Sequence, residues 1–102
     1  MSRRLTTRQL GILFCLHYME SMDEYQPDVW ISYSRLADST EKAVWLYGEK
    51  LDDALQTLER LRLVTLQRPV ISITGIQLTE SGRRVAARIN PFLASVWIGW
   101  IH

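Results

Sequence analysis

Leu10, Leu13, Phe14, His17 and Tyr18 recur at helical spacing behind Thr6-x-x-Gln9, which reads as a capping box. They predict a first helix ending near Met22. A polar stretch with Pro27 follows, from Asp23 to Asp28, and then a short apolar run, Val29 to Ile31, that reads as a brief strand. Ser32 is a suitable N-cap for a second helix carrying Tyr33, Leu36 and Ala37. Within Ser39 to Tyr47, Ser39 or Thr40 is expected to cap another short helix with Val44 and Trp45 inward. Gly48 is expected to end it in the left-handed conformation. From Glu49 to about Arg62, Leu51, Ala54, Leu55, Leu58 and Leu61 form a helical stripe.

The period then changes. Val64 and Leu66 read as a strand, Gln67-Arg68-Pro69 as a turn, and Val70 to Leu78 as a second, β-branched strand. Gly75 inside that strand suggests a bulge or a bend. Thr79 caps a helix with Val85, Ala86 and Ile89 on one side. Asn90-Pro91 opens a last helix, with Asn as N-cap and Pro in the first turn. The expected fold class is α+β, with residues 1–89 as one domain and 90–102 as an apolar C-terminal helix.

The length of 102 residues suits one compact unit, and 47% hydrophobic residues suffice for a core without metals or disulfides. The single Cys15 sits among Leu13, Phe14 and Leu16, which points to a buried thiol, and a reducing cytoplasm fits. No signal peptide is expected, since an amphipathic pattern follows the first eight residues. The net charge of +1 is no recommendation for nucleic acid, but the charges are segregated. Arg3, Arg4 and Arg8 crowd the start, Arg83, Arg84 and Arg88 a late helix, and Glu20, Asp23, Glu24 and Asp28 one early loop. A local basic patch is compatible with that distribution.

Catalytic signatures are missing from the sequence. His17 and His102 are far apart, outside any Cys/His cluster, so no metal or cofactor is expected. The glycines are scattered, and Ser81-Gly82 lacks the context of a nucleophile elbow. Trp30, Trp45 and Tyr47 are candidates for a small-molecule pocket, although core packing is the preferred reading.

Three segments carry a family resemblance. ISYSRLADS looks like the second-helix motif of winged helix-turn-helix regulators, ALQTLERLRLVTL like their recognition helix entering the first wing strand. IQLTESGRRVAARI is similar to their second wing strand and the Leu-Thr-x-x-Gly turn into the next helix. The resemblance covers about Thr7 to Ile89 and is nearest to MarR-like and PadR-like transcription regulators. It implies a three-helix core with a two-stranded wing and binding of double-stranded DNA. The third helix would lie in the major groove and the wing on the backbone.

The outward face of the third helix centres on Glu49, Asp53, Gln56 and Arg60, with Lys50 and Thr57 on one flank and Asp52 and Glu59 on the other. Lys50, Gln56, Thr57 and Arg60 are the candidate DNA contacts on this helix, joined by Arg35 on the second helix and Arg68 at the wing turn. Arg3 and Arg4 are candidates for an arm. The acids of the first turn fit the helix dipole better than a polyanion. In NPFLASVWIGWIH, Phe92, Leu93, Val96, Trp97, Trp100 and Ile101 spread over half a helix and read as a dimerisation face, packing on a twofold mate and on the first helix. A cytoplasmic homodimeric DNA-binding regulator is therefore the first expectation. Its rival is a winged-helix protein-interaction module without DNA binding, motivated by the near-neutral charge, the acidic helix start and the apolar wing.

Overall fold

In the computed structural model, residues 5–22, 30–89 and 91–101 are described, the last stretch without the side chains of 92, 98, 100 and 101. The expectations for Arg3 and Arg4, the acids of residues 23–28, Asn90, and the side chains of Phe92, Trp100 and Ile101 lie outside the described residues. The chain is α+β. Its elements are α1 (Thr7–Met22), β1 (Ile31–Ser32), α2 (Tyr33–Val44), α3 (Gly48–Arg60), β2 (Val64–Gln67), β3 (Gly75–Leu78), α4 (Glu80–Ala87) and α5 (Pro91–Ile101).

The capping box is formed in both directions. The Gln9 amide N–H donates to Thr6 Oγ1 at 3.1 Å, and the Thr6 N–H to Gln9 Oε1 at 2.9 Å. Behind it, Gly11 to Leu16 is an unbroken buried run, so α1 is covered on most sides, by α2, α4 and β3. Its close fit against α2 depends on Gly11, where a Cβ would come within 2.7 Å of the Val44 side chain. The core collects Ile12, Leu13 and Leu16 from α1, Leu36 from α2, Leu51, Leu55 and Leu58 from α3, and Ile76 from β3, all at 0% exposure. Each such side chain contributes roughly 1.5–3 kcal/mol through burial.

Three expectations are corrected. First, α2 runs without a break through Ser39 and Thr40 to Val44. Thr40 does not cap a new helix. Its hydroxyl turns inward and donates to the Leu46 carbonyl at 2.8 Å and the Ala37 carbonyl at 3.2 Å, which holds the end of α2 together. Secondly, the helix ends at Trp45, not Gly48. Trp45 takes φ 56°, its N–H reaches the Glu41 carbonyl, and the Leu46 N–H reaches that of Thr40. Gly48 is left-handed as well, at φ +60°, but it opens α3.

Thirdly, only the end of Val70 to Leu78 is a strand. It pairs with β2 as the expected hairpin, and the brief strand expected over Val29 to Ile31, found as β1 at Ile31–Ser32, joins it in the order β1-β3-β2, antiparallel throughout. Pairing stops at Gln67↔Gly75. There the Gln67 carbonyl accepts from both the N–H and the hydroxyl of Thr74, closing the loop. Pro69 has no N–H for a ladder, and Val70 and Ile71 are each 86% exposed, so their β propensity finds no surface to pack on. Gly75 opens β3 and is paired on both sides, with Ser32 and Gln67, where the sheet is three strands wide.

Thr79 caps α4 through the Gly82 N–H at 3.0 Å, as expected. The same hydroxyl donates to the Arg62 carbonyl at 2.7 Å. Gly82 lies so close to the chain that a Cβ would stand 2.0 Å from the Leu63 carbonyl oxygen. Glu20 and Arg83 join α1 to α4 through two 3.2 Å hydrogen bonds, with Glu20 nearly buried. Cys15 is buried as expected, and burial pushes its thiol up to about 12, so it stays protonated at neutral pH. No described helix is long and apolar enough to cross a membrane.

Candidate interaction surface

The leucine stripe fixes α3 by one side and leaves the other in water. Glu49, Lys50, Asp53, Gln56 and Arg60 are exposed. Thr57 is half-buried and spends its hydroxyl on the Asp53 carbonyl at 3.0 Å. Arg35 is exposed on α2. Of the candidate contacts, Gln56 and Arg68 come together, lining a cleft of about 430 Å³ with Tyr33, Asp52, Ile71, Ser72 and Ile73. Lys50 lines a different hollow, and Arg60 is the basic residue in the last turn of α3.

Three of the charges in this region, Asp52, Glu59 and Arg68, are engaged within the chain. Tyr33 donates its hydroxyl to Asp52 Oδ1 at 2.5 Å, tying the start of α2 to α3. Burial, then the hydrogen bond to Asp52 and that residue's negative charge, push the Tyr33 hydroxyl up to about 12. Asp52 therefore faces a neighbouring side chain, and the helix-dipole role remains for Glu49 and Asp53. Arg68 reaches back from the loop to Glu59 at 3.1 Å. A pair this exposed contributes little stability, about 0.2–1 kcal/mol, but it sets the guanidinium beside a carboxylate. Across α3 and Arg68 the carboxylates are Glu49, Asp52, Asp53 and Glu59, against the cations Lys50, Arg60 and Arg68.

The fold leaves several apolar side chains uncovered, Trp45 and Tyr47 at the start of α3 and Ile71 in the cleft with Gln56 and Arg68 among them. Trp30, Trp45 and Tyr47 were expected in the core, yet they are 37%, 73% and 61% exposed. Trp45, Tyr47, Gly48, Glu49 and Lys50 surround a hollow of about 310 Å³ at the start of α3. Both aromatic residues occupy positions that favour something else. A left-handed backbone costs a bulky side chain about 1–2 kcal/mol, where glycine would be free. Tyr47 is the N-cap of α3 and makes no side-chain cap, a position where Ser or Asp typically adds about 1 kcal/mol. The signal was present in the sequence, since STEKAVWLYGEK has no Gly at the end of α2 and no capping residue before Gly48.

At the other end of the chain, α5 packs on α2, and Trp97 is 3% exposed with its ring 5.3 Å from Phe14 on α1. Trp97 is thus covered within the chain, while Val96 is 42% exposed and Leu93 half-buried. His17 lines a shallow hollow with Glu20, Ser21 and Arg83. No protein-family model, no curated protein and no solved structure matches this chain.

Proposed function

We propose that the chain is a winged helix-turn-helix module whose α3 face docks a protein. In this reading α2 and α3 form the helix-turn-helix, and β2, β3 and the loop between them form the wing. The element order and the three motifs of the MarR-like and PadR-like resemblance support it. The observation that carries the docking reading is the chemistry of the face itself: carboxylates at least equal cations, and Trp45, Tyr47, Val70 and Ile71 stand 61–86% exposed around it. Exposed aromatic and aliphatic side chains rimmed by mixed charge suit a protein interface. A DNA face needs cations directed at phosphates, and every carboxylate among them subtracts from counterion release.

Duplex DNA binding is the second reading, favoured by the exposed Lys50, Gln56 and Arg60 on the outward side of α3. A cytoplasmic twofold dimer through residues 90–102 would suit either, and the exposed Val96 on α5 favours that pairing. Fluorescence anisotropy with a random-sequence duplex, first at low and then at physiological salt, separates the readings. Docking expects no binding at either salt. Binding that falls steeply with salt and is lost in Arg60→Ala would overturn it.

A further inference from the structure

We propose that the α2–α3 turn is the anchor of the docking face and takes an arginine side chain from a segment of a partner protein, with Trp45 and Tyr47 as the aromatic walls. This rests on the docking reading above. The backbone supplies the first argument. Trp45 stands in the left-handed region at φ 56°, yet its side chain is 73% exposed and so packs little within the fold. A non-glycine residue held in that conformation is a place to look for function. Tyr47, two residues on, is 61% exposed at an N-cap that it does not satisfy. Two neighbouring positions thus give up local stability to hold aromatic rings in water.

Charge then selects the occupant. Glu49 lines the hollow beside the rings, Asp53 is exposed one turn further along α3, and Glu41 is exposed one turn back on α2. Lys42, next to Glu41, is tied to Asp38 at 3.1 Å, which leaves Lys50 as the cation of the hollow itself. Glu49 balances Lys50 within the hollow, and Glu41 and Asp53 add negative charge a turn away on either side, which disfavours a nucleic acid or an anionic lipid surface. Aromatic rings with carboxylates at their rim suit a guanidinium, which stacks on the ring face and donates in pairs to a carboxylate.

The test is calorimetric titration of the full chain with acetyl-hexa-arginine amide, with hexa-glutamate as the control. Hexa-arginine is expected to bind and hexa-glutamate not to bind. Trp45→Gly and Trp45→Asn both suit the left-handed backbone and remove the indole. Each is expected to weaken binding about threefold to tenfold, the range of a cation–π contact, while the melting temperature of Trp45→Gly rises by about 4 °C. Glu49→Gln with Asp53→Asn is expected to weaken binding and flatten its salt dependence. Unchanged affinity in both Trp45 variants would overturn the anchor, even if the carboxamide pair loses binding, because the acids alone would then account for it. Absence of hexa-arginine binding overturns it too. If a duplex also fails to bind, the docking reading stands and only the anchor falls. If a duplex binds with a steep salt slope, the docking reading falls first.

Discussion

The turn after α2 and the turn after α3 use the same backbone device to different ends. Each places a non-glycine residue in the left-handed region, Trp45 at φ 56° and Arg62 at φ 61°. In each, the next residue is buried and its N–H bonds back into the helix, Leu46 to Thr40 and Leu63 to Leu58. After α3 the surroundings use the turn fully. The Arg62 carbonyl accepts from the Thr79 hydroxyl, the Leu63 carbonyl from the Thr79 N–H, and Gly82 closes on Leu63. The exposed side chain there is an arginine, which water solvates well. After α2, Thr40 closes the backbone in a similar way, but the exposed side chain is an indole. The comparison separates strain that organises the fold from strain whose side chain has no use within the chain.

The largest effect is expected on the structural turn. Gly82→Ala must move backbone, because the contact at 2.0 Å is with a carbonyl oxygen and not a flexible side-chain end. A loss of about 3–5 kcal/mol is expected, read from urea denaturation as a lower midpoint. A loss below about 1 kcal/mol would show that α4 and β2 can separate freely. Next come the two turns set side by side. Arg62→Gly and Trp45→Gly are each expected to raise stability by about 0.5–1 kcal/mol, as relief of left-handed strain outweighs the added freedom of the unfolded chain. Only Trp45→Gly is expected to change ligand binding. Equal effects of both variants on binding would remove the distinction between the turns.

The smallest effect concerns the link between α2 and α3. Tyr33 is expected to ionise near pH 12 in ultraviolet titration, above its ordinary value of 10. Because the folded value is the higher one, this contribution to stability is complete below pH 10 and is lost as pH climbs from 10 to 12. Tyr33→Phe is expected to abolish that late ionisation and to cost about 0.5 kcal/mol, with Asp52 left to water.

The sequence reading succeeded where local pattern and packing agree. The leucine stripe of α3, the Thr6–Gln9 box and the Thr79 cap each carry their own geometry in a few residues. It failed where tertiary context decided. VISITGIQL has the composition of one strand, but Gln67↔Gly75 ends the pairing and leaves Val70 and Ile71 in solvent. Thr40 looked like a cap because threonine often is one, and its inward hydrogen bond to Leu46 depends on a turn that no local rule specified. Of the candidate site, the outward residues of α3 were legible from periodicity alone. The commitments of Asp52 to Tyr33 and Arg68 to Glu59 were not, because the partners lie 19 and 9 residues away in the chain. The exposed aromatics were misjudged for the same reason that most tryptophans are buried, and only the missing caps hinted otherwise.

One measurement tests the central claim most directly: anisotropy of a labelled random-sequence duplex with the wild-type chain and with Glu49→Lys/Asp53→Lys, in parallel at low salt. Both acids are exposed on the outward side of α3, so the double variant changes the charge of that face without touching the core. If the helix is positioned for a groove but made for a protein, the variant gains salt-dependent duplex binding and the wild type shows none. Wild-type binding as tight as the variant's would contradict the account.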